Sequence, residues 1–134
     1  MDTQIFKKMK IKPDYEAMVL YAPPGYPEPD GHVRIDSGRA DFVHLFVESR
    51  EQFEQRFAQA ATSCKESGVL WISYPKSKGR KVTGINRDSL WGLLLDEGYH
   101  PVAQVALDEE WSAVRVKRNE QGVTYTKPGN VKSS

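Results

Sequence analysis

The stretch VLWISYPKSKGRKVTGINRDSLWGLLLDEG, residues 69–98, carries the clearest fold signal in the chain. It opens with Val69 to Tyr74, apolar or aromatic at every position except Ser73. A near-continuous apolar run of that length predicts a strand covered on both faces, as in the middle of a parallel sheet. Pro75 has no N–H to give to a ladder and stops the strand. Lys76, Lys78, Arg80, Lys81 and Arg87 follow without an acid among them. Asn86 or Ser89 fits a helix cap, and Leu90, Trp91, Leu94 and Leu95 then recur at helical spacing, predicting a helix over 86–97. Gly98 stands where a helix closes on a left-handed residue. Strand, connection and helix in this order form part of a right-handed crossover unit.

The same grammar extends upstream. AMVLYAP, Ala17 to Pro23, reads as a short buried strand. Pro23 to Gly31 holds four of the eight prolines and two glycines, so it is an irregular loop rather than a helix or central strand. His32 to Ile35 forms a weak strand or a turn. DFVHLFV, Asp41 to Val47, is a second strand, with His44 alternating between Phe42 and Phe46 and expected to face the core. Ser49 with Gln52 three residues on makes a capping box. It opens a helix over 49–65 whose stripe is Phe53, Phe57, Ala60, Ala61 and Cys64, ended by Ser67 and Gly68.

Downstream, two short runs within Val102 to Arg118 flank Asp108, Glu109 and Glu110 and predict an antiparallel hairpin. On its second strand Ser112, Val114 and Val116 share one face, and Trp111, Ala113, Arg115 and Lys117 the other. The wetter face predicts an edge strand. Residues 1–14 read as a polar, flexible lead-in, 15–118 as one α/β domain and 119–134 as a polar tail. The expected fold is α/β: a mostly parallel sheet of at least four strands, flanking helices, and a C-terminal antiparallel hairpin.

Composition narrows the function. At 134 residues the chain suits a single core, which needs no metal or disulfide to hold it. Nineteen basic residues face eighteen acidic ones, a net charge of +1, which argues against a nucleic-acid partner held by bulk charge. Cys64 is the only cysteine, so no internal disulfide forms, and usage fits a reducing, cytoplasmic compartment. No run approaches the ~18 apolar residues of a membrane span, so no membrane partner is expected.

Three segments together resemble a bacterial family defined only as a domain of unknown function. They are VLYAPPGY (19–26), DFVHLFV (41–47), and LWISYPKSKGRKVTGINRDSLW (70–91) leading to VALDEEWSAVRV (105–116). The resemblance implies a fold and no chemistry. The order of elements is also similar to the second half of the class I methyltransferase core, a truncated Rossmann-like arrangement. Such an enzyme carries a glycine-rich turn after its first strand, where this chain reads APPGYPEP, Ala22 to Pro29. An acidic residue closing a second strand, to hold a ribose, is not evident.

Ligands of parallel sheets sit beyond the carboxyl ends of the strands. There the chain delivers Gly25 and Tyr26, then Glu48, then Tyr74 and Lys76. Tyr26 and Tyr74 are expected to line one crevice and stack on a ring. With Lys78, Arg80, Lys81, Asn86 and Arg87 they make the candidate ligand-binding set, the basic loop meeting an anion beside a helix start. The competing reading is a solvated loop and two tyrosines that merely cover the sheet end. His32, His44 and His100 form no HxH or HExxH spacing, so no metal site is expected. Ser73 lacks a GxSxG elbow, and Cys64 near a helix end reads as a structural thiol. Asp108 to Glu110 read as turn acids. No catalytic residue and no cofactor is assigned. The leading expectation is a small non-catalytic binding or regulatory domain whose partner is an anionic small molecule or an acidic protein surface. The alternatives are a diverged S-adenosylmethionine-dependent methyltransferase and a structural or protein-interaction subunit. Oligomeric state is left open.

Overall fold

The computed structural model of the chain describes residues 3–12, 14–27, 33–76 and 85–120. The elements in chain order are α1 (Gln4–Lys8), β1 (Glu16–Leu20), β2 (Val33–Arg34), β3 (Ala40–Phe46), α2 (Arg50–Thr62), β4 (Cys64–Pro75), α3 (Arg87–Asp96), β5 (Tyr99–Ala106) and β6 (Trp111–Arg118). They build one six-stranded sheet in the order β2-β1-β3-β4-β6-β5. β2, β1, β3 and β4 run parallel, and β6 is antiparallel to both β4 and β5. The expected α/β class, mostly parallel sheet and C-terminal antiparallel pair are all present.

The order within that pair differs from expectation. β6 is inserted between β4 and β5, and β5 is the edge. All of Trp111 to Val116 is buried except half-buried Arg115. The sequence cue misled because β5 pairs along the outer side of β6 and half-buries Arg115, leaving only Lys117 and Arg118 exposed at its end. β5 has the marks of an edge: Val102, Ala103 and Gln104 are exposed, and Pro101 has no N–H to offer an outer neighbour.

The start of β4 also departs from expectation. Helix α2 stops at Thr62, and Cys64 opens the strand by pairing with Ala40 instead of closing the helix stripe. Gly68 does not end a helix. A Cβ placed on it would lie 2.7 Å from the Asp41 carbonyl oxygen, so glycine is what lets β4 run close beside β3. Both predicted N-caps form, but only the one on α3 closes a reciprocal box. Ser49 Oγ accepts from Gln52 N, although the Gln52 side chain reaches back to Glu48 N, one residue before the cap. Asn86 and Ser89 form a reciprocal capping box on α3. Gly98 takes φ +84° just past α3.

Both faces of the sheet are buried. On one, α2 and α3 lay Phe53, Phe57, Leu90 and Leu94 against Val43, Leu45, Ile72 and Val114. On the other, Phe42, Phe46, Trp71 and Trp111 meet Ile5, Phe6 and Met9. Residues 1–14 were expected as a polar lead-in. Instead α1 and the residue after it bury three large apolar side chains, with Ile5 fully inaccessible. No second full helix covers that face among the described residues, so this short helix fills it, and the three-layer arrangement is incomplete.

Candidate functional site

Sequence order runs from β1 out to β2, then back past β1 to β3. The direction of winding therefore reverses at β1, and the ends of β2, β1 and β3 frame the crevice where open parallel sheets bind ligands. A depression of about 370 Å³ opens beside that crevice, between the ends of β1 and β2, lined by Met18, Val19, Leu20, Arg34, Ile35 and Asp36. Asp36 stands two residues past the end of β2, on that wall. Sequence reading missed it because β2 has only two residues, too few for a periodic pattern to mark its end. The available signal was a weak strand, His32 to Ile35, followed at once by an acid.

Tyr21, just past β1, takes φ +62°, a left-handed conformation uncommon for a residue with a large side chain. Its hydroxyl donates to Gln59 Oε1 at 2.9 Å, and the Arg56 guanidinium lies 4.0 Å from its ring centroid. Helix α2 thus holds the turn that leaves β1. Gly25 is exposed at φ +85°, and no atom of the described residues lies within 4 Å of where its Cβ would be.

Tyr26 folds back across the α1 face of the sheet. Its ring packs edge-on against Phe6, His44 and Phe46, with centroids 5.5–5.9 Å apart. Tyr74 belongs to the opposite face, packed in the α2–α3 core at 4% exposure, with its hydroxyl accepting from Gln104 Nε2. The two tyrosines therefore do not line one crevice, and neither offers a free ring for stacking. Successive strand residues alternate faces, whereas Tyr26 lies beyond the end of β1 and packs by its ring contacts on the α1 face. Burial pushes the Tyr74 hydroxyl pKa up, against the opposing charge of Arg87.

Beneath Tyr26 lies a buried polar chain. Tyr26 Oη is 2.9 Å from His44 Nδ1, and His44 Nε2 is 2.6 Å from Ser73 Oγ. His44 sits on β3 and Ser73 on β4, both with 0% exposure. Desolvation pushes the imidazole pKa down to about 3, so the ring is neutral, with one nitrogen donating and the other accepting. The chain ties residues 23–27 to the sheet. Ser73 cannot act as a nucleophile from a fully buried position.

Of the remaining predicted ligand set, Lys76, Asn86 and Arg87 come together with Tyr74, Pro75, Asp88 and Ser112 around a shallow depression of about 460 Å³ at the end of β4. Lys78, Arg80 and Lys81 lie outside the described residues. The Asn86 side chain is engaged with Ser89 N, so it serves the helix rather than an incoming group.

The other candidates have structural partners. Asp41, at the far end of the sheet, accepts from Glu16 N and pairs with Lys65 at 3.2 Å. The backbone hydrogen bond is the main cause holding its carboxyl pKa low. Cys64 is pushed up to about 11, chiefly by burial and then by Asp41. Asp108 Oδ1 accepts from Glu110 N and Trp111 N and shapes the hairpin turn. Among the described residues no group of three histidine, cysteine or acidic side chains is placed to hold a metal. Among them, too, no helix is long and apolar enough to cross a membrane.

No family model and no curated protein matches the chain. Solved structures do. The ribosomal protein L11 methylase of Lactobacillus delbrueckii subsp. bulgaricus superposes with a TM-score of 0.59 at 8% identity, over 88% of this chain and 77% of that one. The glycopeptide N-methyltransferase MtfA gives 0.61 at 10% identity, over 87% and 88%. The DhpI–SAH complex gives 0.56 at 9% identity, over 89% and 84%. The fold is that of the Rossmann-like methyltransferases. This likeness corrects the leading functional expectation. Two of these solved chains are a methylase and an N-methyltransferase, so the likeness sits better with the methyltransferase alternative than with a small non-catalytic binding or regulatory domain. Identities this low carry the fold alone, and the chemistry has to be argued from the residues.

Proposed function

We propose that the chain is a diverged S-adenosylmethionine-dependent methyltransferase whose cofactor sits at the ends of β1 and β2. The observation that carries this is the Asp36 carboxylate on the wall of the β1–β2 depression. An acid at the end of the second strand is where a Rossmann-like site receives ribose hydroxyls, and an ionised carboxylate accepts from two such donors. Arg34, on the same wall with its guanidinium 5.8 Å from the Tyr26 ring centroid, would supply a cation for the carboxylate of the methionyl part.

The turn after β1 fits the cofactor in part. Pro23, Pro24 and Pro27 have no N–H, so the turn offers few donors. A dinucleotide site needs such donors to cradle a pyrophosphate, whereas S-adenosylmethionine carries none. The missing glycine cradle therefore argues more strongly against a dinucleotide than against this cofactor. When bound, the cofactor supplies an electrophilic methyl group on its sulfonium. The chain's own part is to hold the ribose at Asp36 and keep the turn in place through Tyr21 and the Tyr26–His44–Ser73 chain.

Equilibrium binding of labelled S-adenosylmethionine to the wild type and Asp36→Ala tests the proposal. Loss of charged hydrogen bonds to the ribose is expected to weaken binding about tenfold or more. Equal affinity in both proteins would remove Asp36 from the site. Absence of binding to the folded wild type at millimolar ligand would remove the proposal itself.

A further inference from the structure

A second, more apolar cleft of about 210 Å³ runs between α3 and the edge strand β5. Trp91 and Leu94 of α3 and Val102 of β5 line it, with Val114 on the sheet. An apolar cavity of roughly 150 Å³ is already enough to take a benzene ring. The cleft does not end in apolar residues. Arg87 lines it and also lines the polar depression at the end of β4, so the two meet at this residue. Among the described residues Arg87 has no ion pair. Gln104, on the same lining, is fixed by its hydrogen bond to Tyr74 Oη. The indole N–H of Trp91 is buried, with no hydrogen-bond partner among the described residues.

We propose that this cleft binds a small aromatic carboxylic acid, with its ring between Trp91, Leu94 and Val102 and its carboxylate on Arg87. Ring and charge are both needed: the walls reward apolar burial, and a guanidinium binds a carboxylate in a two-pronged, charge-assisted geometry. A bare phosphate would leave the apolar walls unused, and a neutral arene would leave Arg87 unused. The site stands apart from the cofactor reading and survives if that reading fails.

Backbone and indole NMR titration of the whole chain with benzoate tests the proposal, with benzyl alcohol and inorganic phosphate as controls. Benzoate is expected to give saturable shifts at Leu90 to Leu94, at Val102 to Gln104 and at the Trp91 indole. Arg87→Gln, at an exposed position, should weaken benzoate about tenfold and leave benzyl alcohol unchanged. Val102→Trp, also at an exposed position, should abolish benzoate shifts within a folded spectrum. Phosphate should leave the Trp91 indole unmoved. Equal affinity for benzoate and benzyl alcohol, an unchanged benzoate affinity in Arg87→Gln, or no shift in the cleft at millimolar benzoate would overturn it.

Discussion

Replacing His44 by Leu should flatten the mild-acid dependence of stability. In the folded chain His44 is fully inaccessible and its pKa is pushed down to about 3 by desolvation, from 6.5. In the unfolded chain it takes up a proton below its ordinary value. Between these limits the unfolded state binds more protons, so stability falls as pH falls. The contribution is complete above pH 6.5 and is lost progressively down to about pH 3. The slope for one such group is about 1.4 kcal/mol per pH unit, or about 2 kcal/mol between pH 6.5 and pH 5. Urea unfolding at closely spaced pH values measures it directly. The wild type should lose that amount over the interval. His44→Leu should be less stable at pH 7, because the hydroxyls of Tyr26 and Ser73 lose their partner, but its slope over the same interval should be smaller by about one proton. Equal slopes in the two proteins, or a His44 ring resonance titrating near pH 6 in the folded state, would refute the reasoning.

Three further outcomes test the architecture. Gly68→Ala should destabilise by about 1–3 kcal/mol in thermal or urea unfolding, because its Cβ would press on the backbone carbonyl of Asp41 where neither strand can yield easily; a neutral result would mean that β3 and β4 separate freely there. Phe6→Ala should cost about 3 kcal/mol by urea unfolding, because Phe6 is 6% exposed and covers the sheet face that carries Phe42 and Phe46; a loss under 1 kcal/mol would mean that α1 is not part of the core. Cys64 should react with iodoacetamide at pH 8 far more slowly than a free thiol, since a pKa of about 11 leaves little thiolate; alkylation at the free-thiol rate would contradict its burial.

The parts of the fold that sequence disclosed are those written in local periods. The apolar run Val69 to Tyr74 is the central strand β4, and the caps at Ser49 and Asn86 start the helices where the side chains said they would. What stayed hidden depends on partners distant in sequence. Cys64 carries the last beat of a helical stripe, yet pairing with Ala40 draws it into a strand. Arg115 and Lys117 give β6 an edge-like appearance, yet β5 lies outside it. Ile5, Phe6 and Met9 are too few to announce a helix, and only the bare sheet face gives them a place. In the candidate site, Lys76 and Arg87 do share a depression, as their flanking positions suggested. Tyr26 and Tyr74 do not share one, because they end on opposite faces of the sheet. Asp36, on which the cofactor reading rests, follows a strand too short to be seen as one.

The measurement that bears most directly on that reading is an amide-resolved NMR titration of the whole chain with S-adenosylhomocysteine. Saturable shifts are expected at Leu20 and at Arg34 to Asp36, with the midpoint moved about tenfold or more to higher ligand in Asp36→Ala, while the α3–β5 cleft stays unperturbed. A folded spectrum that does not move at millimolar ligand, or shifts that avoid the ends of β1 and β2, would contradict it.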